Sequence, residues 1–115
     1  MRQATADDWE ITPLPDEFVD IALNILFTEQ KSNAIKQGYI PEEMEEKWFC
    51  YFKNDCLYQH RSWSGFCIDV IRFEEQDNKL RAISARVNRN PDQYSNVDNE
   101  EDVKRITEML DWLYK

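Results

Sequence analysis

The chain has 115 residues, a length that one domain can fold from alone. Hydrophobic residues make up 42% and aromatic residues 13%, with four tryptophans, which is enough for a dense core and excludes a disordered acidic segment. The net charge of −9 argues against a nucleic-acid partner, since most of this surface would repel phosphates. It is typical of an ordinary acidic surface, and the more specific alternative is a partner that is itself basic.

The first part of the chain is predicted to be an arm followed by a helix. Residues 1–14 form the arm, in which Trp9 either pins the segment to the core or marks an exposed contact. A helix is predicted over residues 15–38, because Asp16 and Glu17 favour its amino end and Gly38 suits its carboxyl end. Its apolar stripe follows helical spacing: Phe18, Ile21, Ala22, Ile25 and Leu26.

An antiparallel sheet is predicted over residues 47–89. The string EEMEEK before it is either a charged connector or one short helical turn. Strand signals then alternate with turn signals at Asn54-Asp55, at Ser64-Gly65 and over the polar residues 74–78. The four predicted strands are KWFCYFK, CLYQHRSW, FCIDVIRFE and KLRAISARVNR, joined as a meander.

A terminal helix is predicted over residues 98–115. Asp98 and Glu101 have the spacing of a capping box, and Val103, Ile106, Leu110 and Leu113 share one helical face. Both helices have an apolar face to bury, and the sheet is the only surface large enough to receive them. The predicted fold is a single two-layer α+β domain with an amino-terminal and a carboxy-terminal helix packed on a four-stranded antiparallel meander.

The cysteines predict a cytoplasmic protein and no metal site. Cys50, Cys56 and Cys67 are odd in number and lie farther apart than the two to four residues of a zinc knuckle, so we interpret them as core residues. No apolar run approaches the ~18 residues of a membrane span, and the first residues lack the apolar stretch of a signal peptide. We expect no membrane association, no cofactor and no catalytic residue.

The segment HRSWSG is the strongest candidate for a binding site. A strand places His60 and Ser62 on one face and Arg61 and Trp63 on the other, so they converge only if a turn or bulge rotates one of them. Imidazole and guanidinium groups can hold a phosphate or carboxylate, and the Trp63 indole can stack on a planar group. A structural role, with His60 half-buried and hydrogen-bonded, is an equally good interpretation.

The exit from the fourth strand is predicted to complete this site. In a meander the ends of strands two and four lie at the same edge, so Asn88, Arg89 and Tyr94 can approach the Trp63–Gly65 turn. The alternative is that Asn90-Pro91-Asp92 is only a turn leading into the last helix.

From Lys47 onward the chain resembles small bacterial modules that occur alone or appended to ADP-ribosylglycohydrolase-type proteins. The resemblance lies in the aromatic first strand, LYQHRSWSGFCI, VNRNPDQY and the acidic start of the last helix. It implies a connection to NAD or ADP-ribose chemistry, as in toxin–immunity or phage-defence systems. The acidic magnesium ligands of the glycohydrolases have no counterpart here, so hydrolase activity is not implied.

Together these observations favour a non-enzymatic acidic binding protein of the immunity or anti-defence type, whose partner is a toxin or defence protein. The alternative is a small-molecule module that binds a nucleotide or an ADP-ribose derivative.

Overall fold

The computed structural model describes residues 3–43 and 45–114 and has an α+β fold. A short 3-10 turn, Ala6–Asp8, precedes five strands and two helices. In chain order the elements are β1 (Phe18–Leu26), α1 (Glu29–Gln37), β2 (Trp48–Lys53), β3 (Cys56–Arg61), β4 (Cys67–Gln76), β5 (Lys79–Asn88) and α2 (Asn99–Trp112). Parts of three predicted segments, namely residues 1 and 2 of the arm, Met44 of the connector and Lys115 of the last helix, lie outside the described residues.

The sheet is antiparallel throughout, with the strand order β1-β5-β4-β3-β2. Strands β2 to β5 form the predicted meander. The turn between β2 and β3 is made by Asn54 and Asp55, whose φ angles of 53° and 64° lie in the left-handed region that a tight hairpin requires. Asp77 and Asn78 take the same conformation between β4 and β5, so both hairpins rest on residues that tolerate positive φ.

The predicted helix over residues 15–38 is wrong for most of its length, and the sheet therefore has five strands instead of four. Residues 18–26 form β1, which pairs with β5 along its length, from Phe18 opposite Asn88 to Leu26 opposite Arg81. The segment also has an apolar residue at every second position, and its burial alternates accordingly. A helical period and an alternating period both fit residues 18–26. Pairing with β5, whose edge would otherwise be unpaired, selects the strand.

Only the last part of that predicted helix is helical. In α1 the Thr28 hydroxyl accepts from the Lys31 amide at 3.1 Å, which caps the amino end, and Gly38 terminates the helix with a φ of 75° as predicted. Ile35 is fully buried, and the Ser32 hydroxyl accepts from the Leu80 amide at 2.8 Å, which ties α1 to β5.

The last helix begins as predicted. The Asp98 side chain accepts hydrogen bonds from the amides of Glu100 and Glu101. Ile106 and Leu110 are fully buried in the core cluster, together with Ile71 and Leu57 of the sheet. The carboxyl end of α2 is joined to α1, because the Lys31 ammonium donates to the carbonyl of Tyr114 at 2.7 Å.

Candidate functional site

The turn between β3 and β4 projects Trp63 into solvent. Ser62 fixes one side of the turn, because its hydroxyl donates to the Glu46 carbonyl and its amide to the Lys47 carbonyl, both at 2.8 Å. Gly65 fixes the other side with a φ of 78°, and a Cβ at this position would lie 2.5 Å from the Glu10 carbonyl oxygen. The result is a rigid turn with an indole that is 77% exposed.

The amino-terminal arm supports this turn from beneath. The Trp9 indole stacks on Phe49 with ring centroids 5.6 Å apart, and its N–H donates to the Ser62 carbonyl at 2.8 Å. The Thr12 amide donates to the Gly65 carbonyl at 2.9 Å. Of the two sequence interpretations of Trp9, the structure supports the one in which it pins the arm.

The described residues of the connector, 42–43 and 45–47, border the turn on its other side. The Glu46 carboxylate accepts from the Tyr39 hydroxyl and from the amides of Glu42 and Glu43, which folds the connector back on itself. The hydrogen bond from Tyr39 is the main reason that the pKa of Glu46 is lowered. Burial and this carboxylate raise the pKa of Tyr39 to about 12. The connector is therefore a fixed acidic ridge, with Glu42, Glu43 and Glu45 exposed on it.

Three neighbouring grooves follow this ridge. One, of about 370 Å³, lies between Trp9 and Trp63, and a second, of about 420 Å³, is lined by Glu45, Lys47, Arg61 and Trp63. A third, of about 480 Å³, reaches Trp112, which is 51% exposed. We name the connector together with Trp63 and Trp112 the Trp63–Trp112 surface. It combines two exposed indoles with a row of carboxylates.

Arg61 lies at the inner wall of the second groove. Its guanidinium stacks on Trp48, 4.7 Å from the ring centroid, and Arg105 contacts the same ring at 5.7 Å. Burial and the nearby charge of Arg105 lower the pKa of Arg61. A cation is thus held against an aromatic ring and close to a second cation.

His60 is fully buried below the arm and away from this groove. Its ring stacks on Tyr51, with centroids 5.8 Å apart, and its Nδ1 lies 3.0 Å from the Gly65 carbonyl oxygen. Its Nε2 has no hydrogen-bond partner within the described part of the chain. Burial lowers the pKa of His60, so the ring is held in its neutral form.

The predicted exit-loop residues belong to a buried polar network. Asn88 is fully buried and donates to the Cys67 carbonyl at 2.8 Å. The Tyr94 hydroxyl donates to Asp102 at 2.7 Å, and Arg89 forms an ion pair with the same carboxylate. These contacts hold the exit loop against the start of α2.

The network continues across the sheet to the end of the chain. Arg105 donates to Asp69 and the Gln59 amide donates to the same carboxylate, both at 2.8 Å. The Tyr114 hydroxyl donates in turn to the Gln59 amide oxygen. Burial raises the pKa of Asp69, and the charge of Arg105 opposes this shift. The network orients α2 on the sheet.

The seven predicted site residues are therefore divided among three places. Arg61, Ser62 and Trp63 surround the grooves, His60 lies beneath the arm, and the exit-loop residues lie in the buried network. Arg105 contacts the rings of both Trp48 and Tyr94, each at 5.7 Å, and so lies between β2 and the exit loop. The sequence pattern does not indicate Lys47 or Trp112 as site residues. Trp112 falls just off the apolar stripe of α2, which is the signal for an exposed indole.

The three cysteines lie on strands β2, β3 and β4. Cys50 and Cys67 are buried, Cys56 is half-buried, and all three are free thiols. Burial raises the pKa of each thiol. Across residues 3–43 and 45–114, no group of three or more His, Cys, Asp or Glu residues is arranged to hold a metal ion, and no helix is long and apolar enough to cross a membrane.

Comparisons of the chain with models of protein families, with curated proteins and with solved structures found no match. The resemblance to modules of ADP-ribosylglycohydrolase-type proteins stays a hypothesis, and function is inferred from the geometry above.

Proposed function

We propose that this chain is a non-enzymatic acidic binding protein that docks a protein partner on the Trp63–Trp112 surface. The single observation that carries the proposal is the 77% exposure of Trp63 on a turn that is fixed from both sides. Burial of a rigid tryptophan contributes strongly to interface affinity, and tryptophan is enriched among the residues that dominate such interfaces.

The extent of the surface favours a protein partner. The three grooves adjoin along one ridge and include a second exposed indole, Trp112, so the partner can contact more area than one small molecule covers.

The charge of the ridge defines the kind of partner. Glu42, Glu43 and Glu45 are exposed beside the grooves, and the chain as a whole carries a net charge of −9. Complementary charge accelerates association and disfavours wrong partners. The partner surface is therefore basic, with apolar pockets that receive Trp63 and Trp112.

We further propose that the partner is a toxin or defence protein linked to NAD or ADP-ribose chemistry, which makes the chain an immunity or anti-defence protein. This part of the proposal is supported by the sequence resemblance from Lys47 onward, and the acidic docking surface is compatible with it.

The test is co-expression of the chain with the product of the adjoining gene, followed by size-exclusion chromatography and a growth-rescue assay. We expect a stable complex, and rescue if the partner is toxic. The variant Glu42→Gln/Glu43→Gln should associate more slowly, and the difference from the wild type should shrink as salt is raised. A control variant, Glu74→Gln/Glu75→Gln on the β4–β5 hairpin, should associate at the wild-type rate. A rate loss of the same size in the control would contradict docking at the ridge.

A further inference from the structure

The second groove of the surface places two cationic side chains beside an exposed indole. It measures about 420 Å³ and is lined by Glu45, Lys47, Arg61 and Trp63. Its volume lies in the range of small-molecule sites, roughly 300–1,000 Å³. Among the described residues that line it, Lys47 and Arg61 are cations, in a chain whose net charge is −9.

The guanidinium of Arg61 is the main reason to expect a ligand here. Within residues 3–43 and 45–114, the side chain of Arg61 makes no hydrogen bond and no ion pair, although it stacks on Trp48. In contrast, Arg89 and Arg105 are each paired with a buried carboxylate. Stacking holds the Arg61 guanidinium against Trp48, and none of its five N–H donors makes a hydrogen bond to a residue that the structure describes.

The indole of Trp63 gives this groove a surface that suits a planar group. Trp63 presents an exposed indole to the groove, and base–aromatic stacking of this kind contributes about 1–3 kcal/mol per base in single-strand binding proteins. Lys47 adds an exposed ammonium at the rim. Glu45 is the one carboxylate among the described lining residues, and it can accept hydrogen bonds from hydroxyl or amino groups of a ligand.

We propose that this groove binds a nucleotide, with its phosphate on Arg61 and Lys47 and its base stacked on Trp63. Arginine offers phosphate a bidentate donor fork and lysine a point charge. A bare anion would not stack on the Trp63 indole, and an uncharged aromatic compound would not pair with the Arg61 guanidinium. The proposal does not depend on a protein partner, but a bound nucleotide would cover Trp63 and so compete with one.

The experiment is an NMR titration of the whole chain with adenosine 5′-monophosphate. The indole N–H signal of Trp63 is assigned by its loss in Trp63→Phe, and adenosine and inorganic phosphate are titrated separately. We expect a saturable shift of the Trp63 signal with the nucleotide, at a concentration about tenfold or more below that needed for either fragment. No saturable shift at millimolar nucleotide, or equal affinities for nucleotide and nucleoside, would overturn the proposal.

Two variants locate the phosphate. Arg61→Met should weaken nucleotide binding about tenfold or more, whereas Arg72→Met, an exposed arginine on β4 away from this groove, should leave the affinity unchanged. Thermal unfolding checks that each variant is folded. If Arg61→Met does not fold, Lys47→Met replaces it, since the Lys47 side chain is exposed, and it should weaken binding of the nucleotide but not of adenosine. Equal losses in Arg61→Met and Arg72→Met would refute the assignment of the site.

Discussion

Replacing Arg105 with methionine should lower the free energy of unfolding by about 3–5 kcal/mol, because it leaves Asp69 charged and buried. Asp69 is fully buried and has two donors, Arg105 and the Gln59 amide, each at 2.8 Å. In the Arg105→Met variant, Asp69 keeps only the neutral Gln59 amide as a donor. Methionine retains most of the packing volume of the arginine stem, so the loss reports the charge rather than a cavity.

The second carboxylate near Arg105 limits this loss. Asp102 is 3.4 Å from Arg105 and keeps two closer partners, Arg89 and Tyr94, when Arg105 is removed. The cost therefore arises mainly at Asp69. The free energy of unfolding of a single domain is about 5–15 kcal/mol, so the Arg105 side chain would account for a large part of the stability.

The assay is urea unfolding of wild type, Arg105→Met, Asp69→Asn and the double variant at pH 7 and pH 4. Without Arg105, burial holds the folded pKa of Asp69 above its unfolded value of about 3.9, so a proton stabilises the fold. The deficit of Arg105→Met should therefore be largest at pH 7 and shrink towards pH 4. The double variant should be more stable than the sum of the single losses implies. A deficit below about 1 kcal/mol, or one that is the same at both pH values, would refute the reasoning.

Three further predictions concern the other groups that hold the fold. Wild-type stability should fall as the pH drops below about 6.5, by up to about 1.4 kcal/mol per pH unit. Burial lowers the pKa of His60 in the folded chain, so the imidazole of the unfolded chain binds a proton at a higher pH than the folded one does. His60→Phe should flatten this slope in urea titrations between pH 5 and 8, and an unchanged slope would contradict the prediction. Gly65→Ala should destabilise the chain by about 1–3 kcal/mol, since it combines positive φ with a clash against Glu10; a melting temperature equal to wild type would argue against the arm contact. Asp98→Ala should cost about 1 kcal/mol in chemical unfolding by removing the cap of α2, whereas no loss would show that the cap is dispensable.

Local signals were sufficient to predict strands β2 to β5 and the last helix. Asn54-Asp55 favours a tight turn by its own backbone preferences, and Asp98 caps the helix that follows it. These features depend on neighbours in sequence, and the structure confirms them. The turn predicted over residues 74–78 is shorter in the structure, where β4 runs to Gln76 and only Asp77-Asn78 turns.

Strand β1 could not be predicted in the same way. Residues 18–26 satisfy a helical and an alternating pattern at once, and Val19 and Ile21 are β-branched residues that favour a strand. Pairing with Val87 and Ala85 of β5 selects the strand. These partners lie more than 60 positions away in sequence, so the choice depends on closing a long loop and not on local preferences.

The site was predicted only in part, because exposure is a tertiary property. Alternation along β3 correctly separates His60 from Arg61, but nothing local indicates that the arm covers one and a groove exposes the other. Asn88 and Arg89 are polar residues that read equally well as surface groups. Asn88 is instead fully buried against the Cys67 carbonyl, and Arg89 is half-buried because it pairs with the carboxylate of Asp102.

The central claim, that Trp63 is the anchor of a protein-binding surface, is tested most directly by the affinity of the partner for two matched variants. Trp63→Ala and Val97→Ala each truncate an exposed apolar side chain, 77% and 78% exposed respectively, and Val97 does not line any of the three grooves of the surface. Isothermal titration calorimetry should show Kd about 30-fold or more weaker for Trp63→Ala, corresponding to about 2 kcal/mol, and unchanged for Val97→Ala. Wild-type affinity in a folded Trp63→Ala variant would contradict the account.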